Sequence, residues 1–265
     1  MNRDLAPRLY YLHLRHWASQ FEAGWDWLAG GLGLAVVVGL AGGRLRGAPA
    51  VVLASGFAAA SLEVVLLLGL QILVGSLYRQ VALVVTLCMA GLAVGAWAGM
   101  RWLTRRLAEP SGAGFQLASE SAVTTLPLEP PSSSARRASR PQAALRLLVA
   151  IVVGFALSLP LILAALGSPA WSRMGASTTE GMLGLLTFAF AVVVGAQFPL
   201  ANRVEAGPGN PAGRLYTADF LGASLGALLT STLLLPLFGV TGVCLGVAVL
   251  NALAGWGLSR TATIS

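Results

Sequence analysis

Lysine is absent from the 265 residues, so all 17 basic side chains are arginine. Acids are scarce too, with 10 Asp and Glu in total, and charged residues make up 10% of the chain. Soluble domains carry roughly a quarter. A chain that is 56% apolar and so poor in charge cannot cover itself for water, which excludes an ordinary soluble globule and makes lipid its expected solvent. The net charge of +7 lies mostly in loops, where membrane orientation accounts for it and no nucleic-acid partner is needed. Cys88 and Cys244 each sit inside an apolar run without a CxxC or metal-ligand spacing, and read as small packing residues. His13 and His16 are the only histidines and have no third ligand nearby, so no metal or other cofactor is expected. There is no Ser-His-Asp set, no HExxH and no P-loop. Gly31-Leu32-Gly33 lacks both the third glycine and the βαβ context of a dinucleotide fingerprint. The chain is therefore not expected to be an enzyme.

What is present is a series of long apolar runs. They predict an all-α fold, a polytopic transmembrane bundle of about seven helices. Residues 1–24 place Tyr10, Leu14, Trp17 and Phe21 at helical spacing among arginines, which suits an amphipathic interfacial helix. They have the look of no secretory signal. Residues 25–102 form a first membrane half with runs at Trp25–Gly43, Ala48–Gly75 and Val81–Trp102. The first of these is short and contains Asp26, so a re-entrant segment is the alternative there. Residues 103–146, rich in Pro, Ser and Arg, read as a disordered linker. Residues 147–258 form a second half with runs at Leu147–Leu166, Gly181–Ala201, Thr217–Leu237 and Gly242–Leu258, with a turn at Phe238–Thr241 and a tail at 259–265. Glycines spaced by four at Gly91, Gly95 and Gly99, at Gly222 and Gly226, and at Gly242 and Gly246 mark faces that a neighbouring backbone can approach closely. They pack helices within one chain as readily as in a homo- or hetero-oligomer. A short echo, Gly75-Ser76-Leu77-Tyr78 against Gly213-Arg214-Leu215-Tyr216, hints at an internal duplication.

Polar groups inside apolar runs are the candidate site. Glu63 and Gln71, eight residues apart, would line one polar seam able to hold a cation or proton. A paired or protonated Glu63 that only locks the bundle is the alternative. Gln197 precedes Pro199 by two residues and is placed to satisfy the carbonyl that proline orphans. Asp219 falls in the first turn of the expected sixth helix, where Arg214 and Tyr216 are near enough to pair with it. Capping there competes with a substrate gate. Asn251 is expected to make an interhelical hydrogen bond.

Three segments carry a family resemblance: GFAAASLEVVLLLGLQILVGSLYRQVALVVTLCMAGLAVGAWAG (Gly56–Gly99), GAQFPLANR (Gly195–Arg203) and GRLYTADFLGASLGALLTSTLLLPLFG (Gly213–Gly239). Together they resemble the bacterial polytopic membrane proteins of the spermidine synthase-like, or polyamine aminopropyltransferase-like, family. Asn2–Trp17 is similar to the stretch that follows the soluble domain in longer members. The resemblance implies a non-catalytic membrane half that anchors a soluble Rossmann-type synthase-like partner; no catalytic residue of the family carries over. A small transporter or channel for a cation or polyamine is the other reading, with Glu63, Gln71, Gln197 and Asp219 along its path. Either implies a bacterial inner (plasma) membrane. With seven spans, one side takes about twelve arginines, which makes the linker and C-terminus cytoplasmic.

Overall fold

The computed structural model describes residues 47–75, 77–107, 131–172, 175–205 and 210–261. These residues are helical apart from short connections, and five helices among them are long and apolar enough to cross a membrane. In lipid a backbone must satisfy its own polar groups, and runs of Leu, Ala and Val do so as helices. The elements are α1 (Ala48–Val74), α2 (Leu77–Leu107), α3 (Pro131–Leu166), the single turn α4 (Pro169–Ser172), α5 (Ala176–Val204), α6 (Pro211–Leu229) and α7 (Leu235–Thr261); a π-helical turn, Thr230–Leu234, joins the last two. The exterior is apolar: Trp97, Met100, Leu161, Phe220, Phe238 and Trp256 are each more than half exposed. Chain and solvent match only if that solvent is lipid, so this is an integral membrane protein.

Some expectations fall beyond the described residues, and others need revision. The interfacial helix at 1–24 and the first run, Trp25–Gly43, lie outside the described residues, as does 108–130 of the linker. The rest of the linker, 103–107 and 131–146, is helical. Pro131 opens α3, where a missing N–H costs nothing, and the Ala, Arg and Gln that follow are good helix formers. Gln142 and Arg146 then tie the early part of α3 to α7 by donating to the Leu258 carbonyl at 2.9 and 3.4 Å.

The expected sixth and seventh spans form one apolar helical stretch of 49 residues, Pro211–Ser259. At about 1.5 Å per residue it is more than twice as long as a hydrocarbon core of about 30 Å. Gly239 interrupts it with φ 67° and ψ −176°. Contacts give the direction on each side. α6 runs parallel to α1, since Gly222 meets Leu53, Gly226 meets Phe57 and Thr230 meets Ser61. α3 also runs parallel to α1, with Gly69 against Leu163 and Gly167 against Leu73. α7 is antiparallel to α3, with Leu258 beside Gln142 and Gly255 beside Val149. The chain therefore reverses at Gly239, inside the expected turn.

α1, α3 and α6 point one way; α2, α5 and α7 point the other. The halves α1-α2-α3 and α5-α6-α7 are thus inverted copies in topology, and their contacts repeat in register. Gly95 lies against the Val192 carbonyl as Gly222 lies against that of Leu53. Gly99 meets the Ala196 carbonyl as Gly226 meets that of Phe57. Gly195 meets the Leu92 carbonyl as Gly56 meets that of Asp219. One shift of 127 residues carries Gly95, Gly99 and Leu92 onto Gly222, Gly226 and Asp219; one shift of 139 carries Leu53, Phe57 and Gly56 onto Val192, Ala196 and Gly195. Further pairings agree: α1 with α7 mirrors α3 with α5, while α3 with α7 and α1 with α5 map onto themselves; the α1–α3 contact has no counterpart of similar extent between α5 and α7. The Gly75 and Gly213 echo does not follow this register, because it sets Gly222 opposite Val84 rather than Gly95.

Arginines mark one end of the bundle. Arg101, Arg105 and Arg106 end α2; Arg136, Arg137, Arg140 and Arg146 lie in the first half of α3; Arg203 and Arg260 lie in the last turns of α5 and α7; Arg214 starts α6. Among the described arginines only Arg79, at the start of α2, stands at the opposite end. Arg101 also stacks over the Trp97 ring at 4.9 Å, a pairing suited to the headgroup layer.

Candidate functional site

The apolar core is not continuous. One cluster runs from Ala58 to Leu70 on α1, with Val152–Leu166 of α3, Leu183–Val194 of α5 and Val240–Ala248 of α7. A second, at the arginine end, gathers Ala48, Val51 and Val52 of α1, Leu145 and Val149 of α3, Leu200 and Ala201 of α5, and Leu258 of α7. The gap between them carries polar side chains on three helices: Ser55 on α1, Gln197 on α5 and Asn251 on α7, all 2% exposed or less. By helix rise this layer lies roughly 10–15 Å in from the arginine end.

The layer is only partly satisfied. Asn251 Nδ2 donates to the Ala54 carbonyl at 3.2 Å and to the Val247 carbonyl at 3.0 Å, which is the expected interhelical bond. Its Oδ1 has no protein partner. Ser55 Oγ donates to the Val52 carbonyl at 2.9 Å. Gln197 has no protein partner at either amide atom. The expectation that Gln197 satisfies the carbonyl orphaned by Pro199 therefore fails: the side chain points into the core instead of back onto its own helix. Each buried polar atom left without a partner costs about 1–3 kcal/mol, so native structures supply one, commonly a water or an ion.

A second polar contact lies midway along α1. Thr230 Oγ1 donates to Ser61 Oγ at 2.8 Å, and Ser61 Oγ donates to the Gly226 carbonyl at 3.5 Å. Thr230 opens the π turn, whose carbonyl accepts from the Leu235 N–H. Such turns inside α-helices are frequent at functional sites.

The remaining candidates do not converge. Glu63 is half-buried, facing the Cys88 thiol across the α1–α2 hairpin. Gln71 is exposed near the end of α1, so the two do not form one seam. Asp219 is in the third turn of α6 rather than the first, because the helix starts earlier: Asn210 caps it by accepting from the Gly213 N–H at 3.0 Å, and Pro211 follows. Its carboxylate lies against Gly56, where a Cβ would sit 2.7 Å from Oδ1. Arg214 does not pair with Asp219; it bonds Glu205 at 3.2 Å across the α5–α6 connection. Tyr216 is 65% exposed on the outer face. Arg214 borders an open hollow of about 430 Å³ with Asn210, Thr217 and Leu221. Among the described residues no three His, Cys, Asp or Glu side chains gather where they could hold a metal.

Sequence reasoning found Gln197 and Asn251 but missed Ser55, since a serine among alanines carries no signal until the partner helices are known. Two mutational outcomes follow. Asn251→Leu is expected to lower stability by about 0.6 kcal/mol and at most about 1.7, the range for interhelical hydrogen bonds in lipid, measured by unfolding in detergent. Arg214→Ala is expected to change it by less than about 0.5 kcal/mol, because that arginine's side chain is 63% exposed and its ion pair is screened.

Compared with known protein families, curated proteins and solved structures, the chain matches none.

Proposed function

We propose that this chain is a membrane carrier for a small polar cation, with no catalytic activity of its own. The observation that supports this is the inverted pairing of its helices: two three-helix halves in opposite orientation, tied by glycine contacts that repeat in register. Inverted repeats of three helices recur in secondary transporters, where two related halves allow one site to face either side in turn. The π turn and the break at Gly239 fit that class, because broken helices free backbone groups for a ligand. In this reading the described part crosses the bilayer six times. The arginine end faces the cytoplasm of a bacterial plasma membrane, following the excess of basic residues on inner loops.

The test is uptake by purified protein in liposomes. Saturable accumulation of labelled sodium, methylammonium or putrescine above protein-free vesicles is expected. Uptake no greater than in those vesicles for every cation tried would overturn the reading. Orientation is read separately: in a Cys-less background, Thr104→Cys should react with a membrane-impermeant thiol reagent only in inverted vesicles, and Ser168→Cys only in intact cells.

A second reading is favoured by the arginine-rich end, a surface suited to an acidic soluble partner. There the chain is the membrane half of a spermidine synthase-like protein and holds a Rossmann-type synthase at the bilayer. Recovery of such a partner with the full chain, and its loss when Arg101, Arg105 and Arg203 become glutamine, would support it.

A further inference from the structure

We infer that the Ser55–Gln197–Asn251 layer is a binding site for one monovalent cation, an alkali ion or a primary ammonium group. The inference deepens the carrier reading by naming its site and the charge of its ligand.

Gln197 brings one unpartnered acceptor, Oε1, and one unpartnered donor group, Nε2. Asn251 adds an unpartnered acceptor, because Nδ2 already serves the Ala54 and Val247 carbonyls. Ser55 has given its hydrogen to the Val52 carbonyl, so its oxygen faces the layer with lone pairs only. The unpartnered oxygen acceptors of these three side chains thus outnumber their one unpartnered donor group, in a layer bounded by apolar clusters on both sides. Water brings donors and acceptors in equal number and leaves the surplus standing. A cation brings none of the acceptors: an ammonium offers three donors, and an alkali ion draws several oxygens at once. Asp219 lies at a similar depth but on the α1–α6 seam against Gly56; the three side chains of the layer are neutral, which argues against a divalent ion, whose sites use acidic ligands. Arg146 donates from Nη2 to the Leu258 carbonyl, about two turns from Asn251, and its Nε is a further buried donor without a protein partner at that distance from the layer.

Binding can be measured without transport. The full chain in detergent, prepared in choline chloride, is titrated with sodium, potassium or methylammonium chloride at fixed ionic strength, and thermal unfolding is followed. At least one ion should give a saturable rise in Tm of roughly 5 °C. A response to sodium or potassium identifies an alkali site; one to methylammonium alone identifies an ammonium site. Gln197→Leu, close in volume and free of polar atoms, should fold in choline and lose at least ten-fold in apparent affinity. Ser55→Ala, a smaller change, should weaken binding in the same direction, and binding of radioactive sodium or methylammonium to it provides the readout if Gln197→Leu does not fold. Equal Tm in all four salts, or a response untouched by both variants, would overturn the site and leave a layer filled by water alone. Cation binding without uptake into liposomes would keep this site and remove the carrier reading.

Discussion

Gly95→Leu is expected to leave little folded protein to purify, and Gly222→Leu to fail to the same extent. Both glycines sit where the backbone of the facing helix passes. A Cβ at Gly95 would collide with the Val192 carbonyl oxygen, and one at Gly222 with that of Leu53. The obstacle is backbone in each case, so no rotamer change clears it. Overpacking a core costs about 1–3 kcal/mol where side chains can shift, and a rigid obstacle puts these sites at or beyond the top of that range. Against a total stability of about 5–15 kcal/mol, a whole leucine side chain would force the two helices apart. Alanine at the same positions should give a milder loss of the same sign. Gly154 and Gly246 are the controls, since a Cβ at either meets nothing within 4 Å. There alanine should be neutral, or stabilising by up to about 1 kcal/mol through helix propensity. The monodisperse fraction on gel filtration and the unfolding midpoint check all six variants. Unequal effects at Gly95 and Gly222 would break the claim that the two seams are equivalent.

Gly239→Val should be the other severe change. With φ 67° and ψ −176°, Gly239 occupies a region that is essentially reserved for glycine. A residue forced there carries about 1–3 kcal/mol of strain, and a β-branched side chain lies at the upper end. Relaxing into ordinary helix would straighten the α6–α7 stretch and pull α7 from α3. The expected result is a loss of about 3 kcal/mol, or a protein that inserts with its C-terminal segment misplaced. Protease protection of a C-terminal tag distinguishes the two.

Much of this architecture can be read from residue spacing, and the limits have physical causes. The glycine rows at 91, 95 and 99 and at 222 and 226 announce close faces, and both are covered by another helix. Spacing does not say which helix, because a smooth face accepts any partner of suitable shape. Gly242 and Gly246 show the same spacing, yet Gly242 meets only its own Phe238 and Gly246 meets nothing. The start of α3 was hidden by composition: Pro, Ser and Arg look unburied, but good helix formers among them, and the grip of Gln142 and Arg146 on α7, extend the helix to Pro131. The start of α6 was readable at Asn210-Pro211, a cap followed by an N1 proline, and locating it there would have kept Asp219 out of the first turn. Gln197 stood out as an amide in an apolar run. Its unpaired state is a tertiary fact that depends on where α1 and α7 place their oxygens.

The glycine seams also set an order of events during synthesis. α1 rests on α6 and α2 on α5, so each seam joins helices that leave the ribosome far apart in time. When α1 and α2 first enter the bilayer their tightest surfaces face lipid, and they stay bare while the chain grows: α5 begins 69 residues after α2 ends (176 − 107), and α6 begins 137 after α1 ends (211 − 74). A nascent chain released early would hold two sticky, uncovered faces, and quality-control proteases would meet those first.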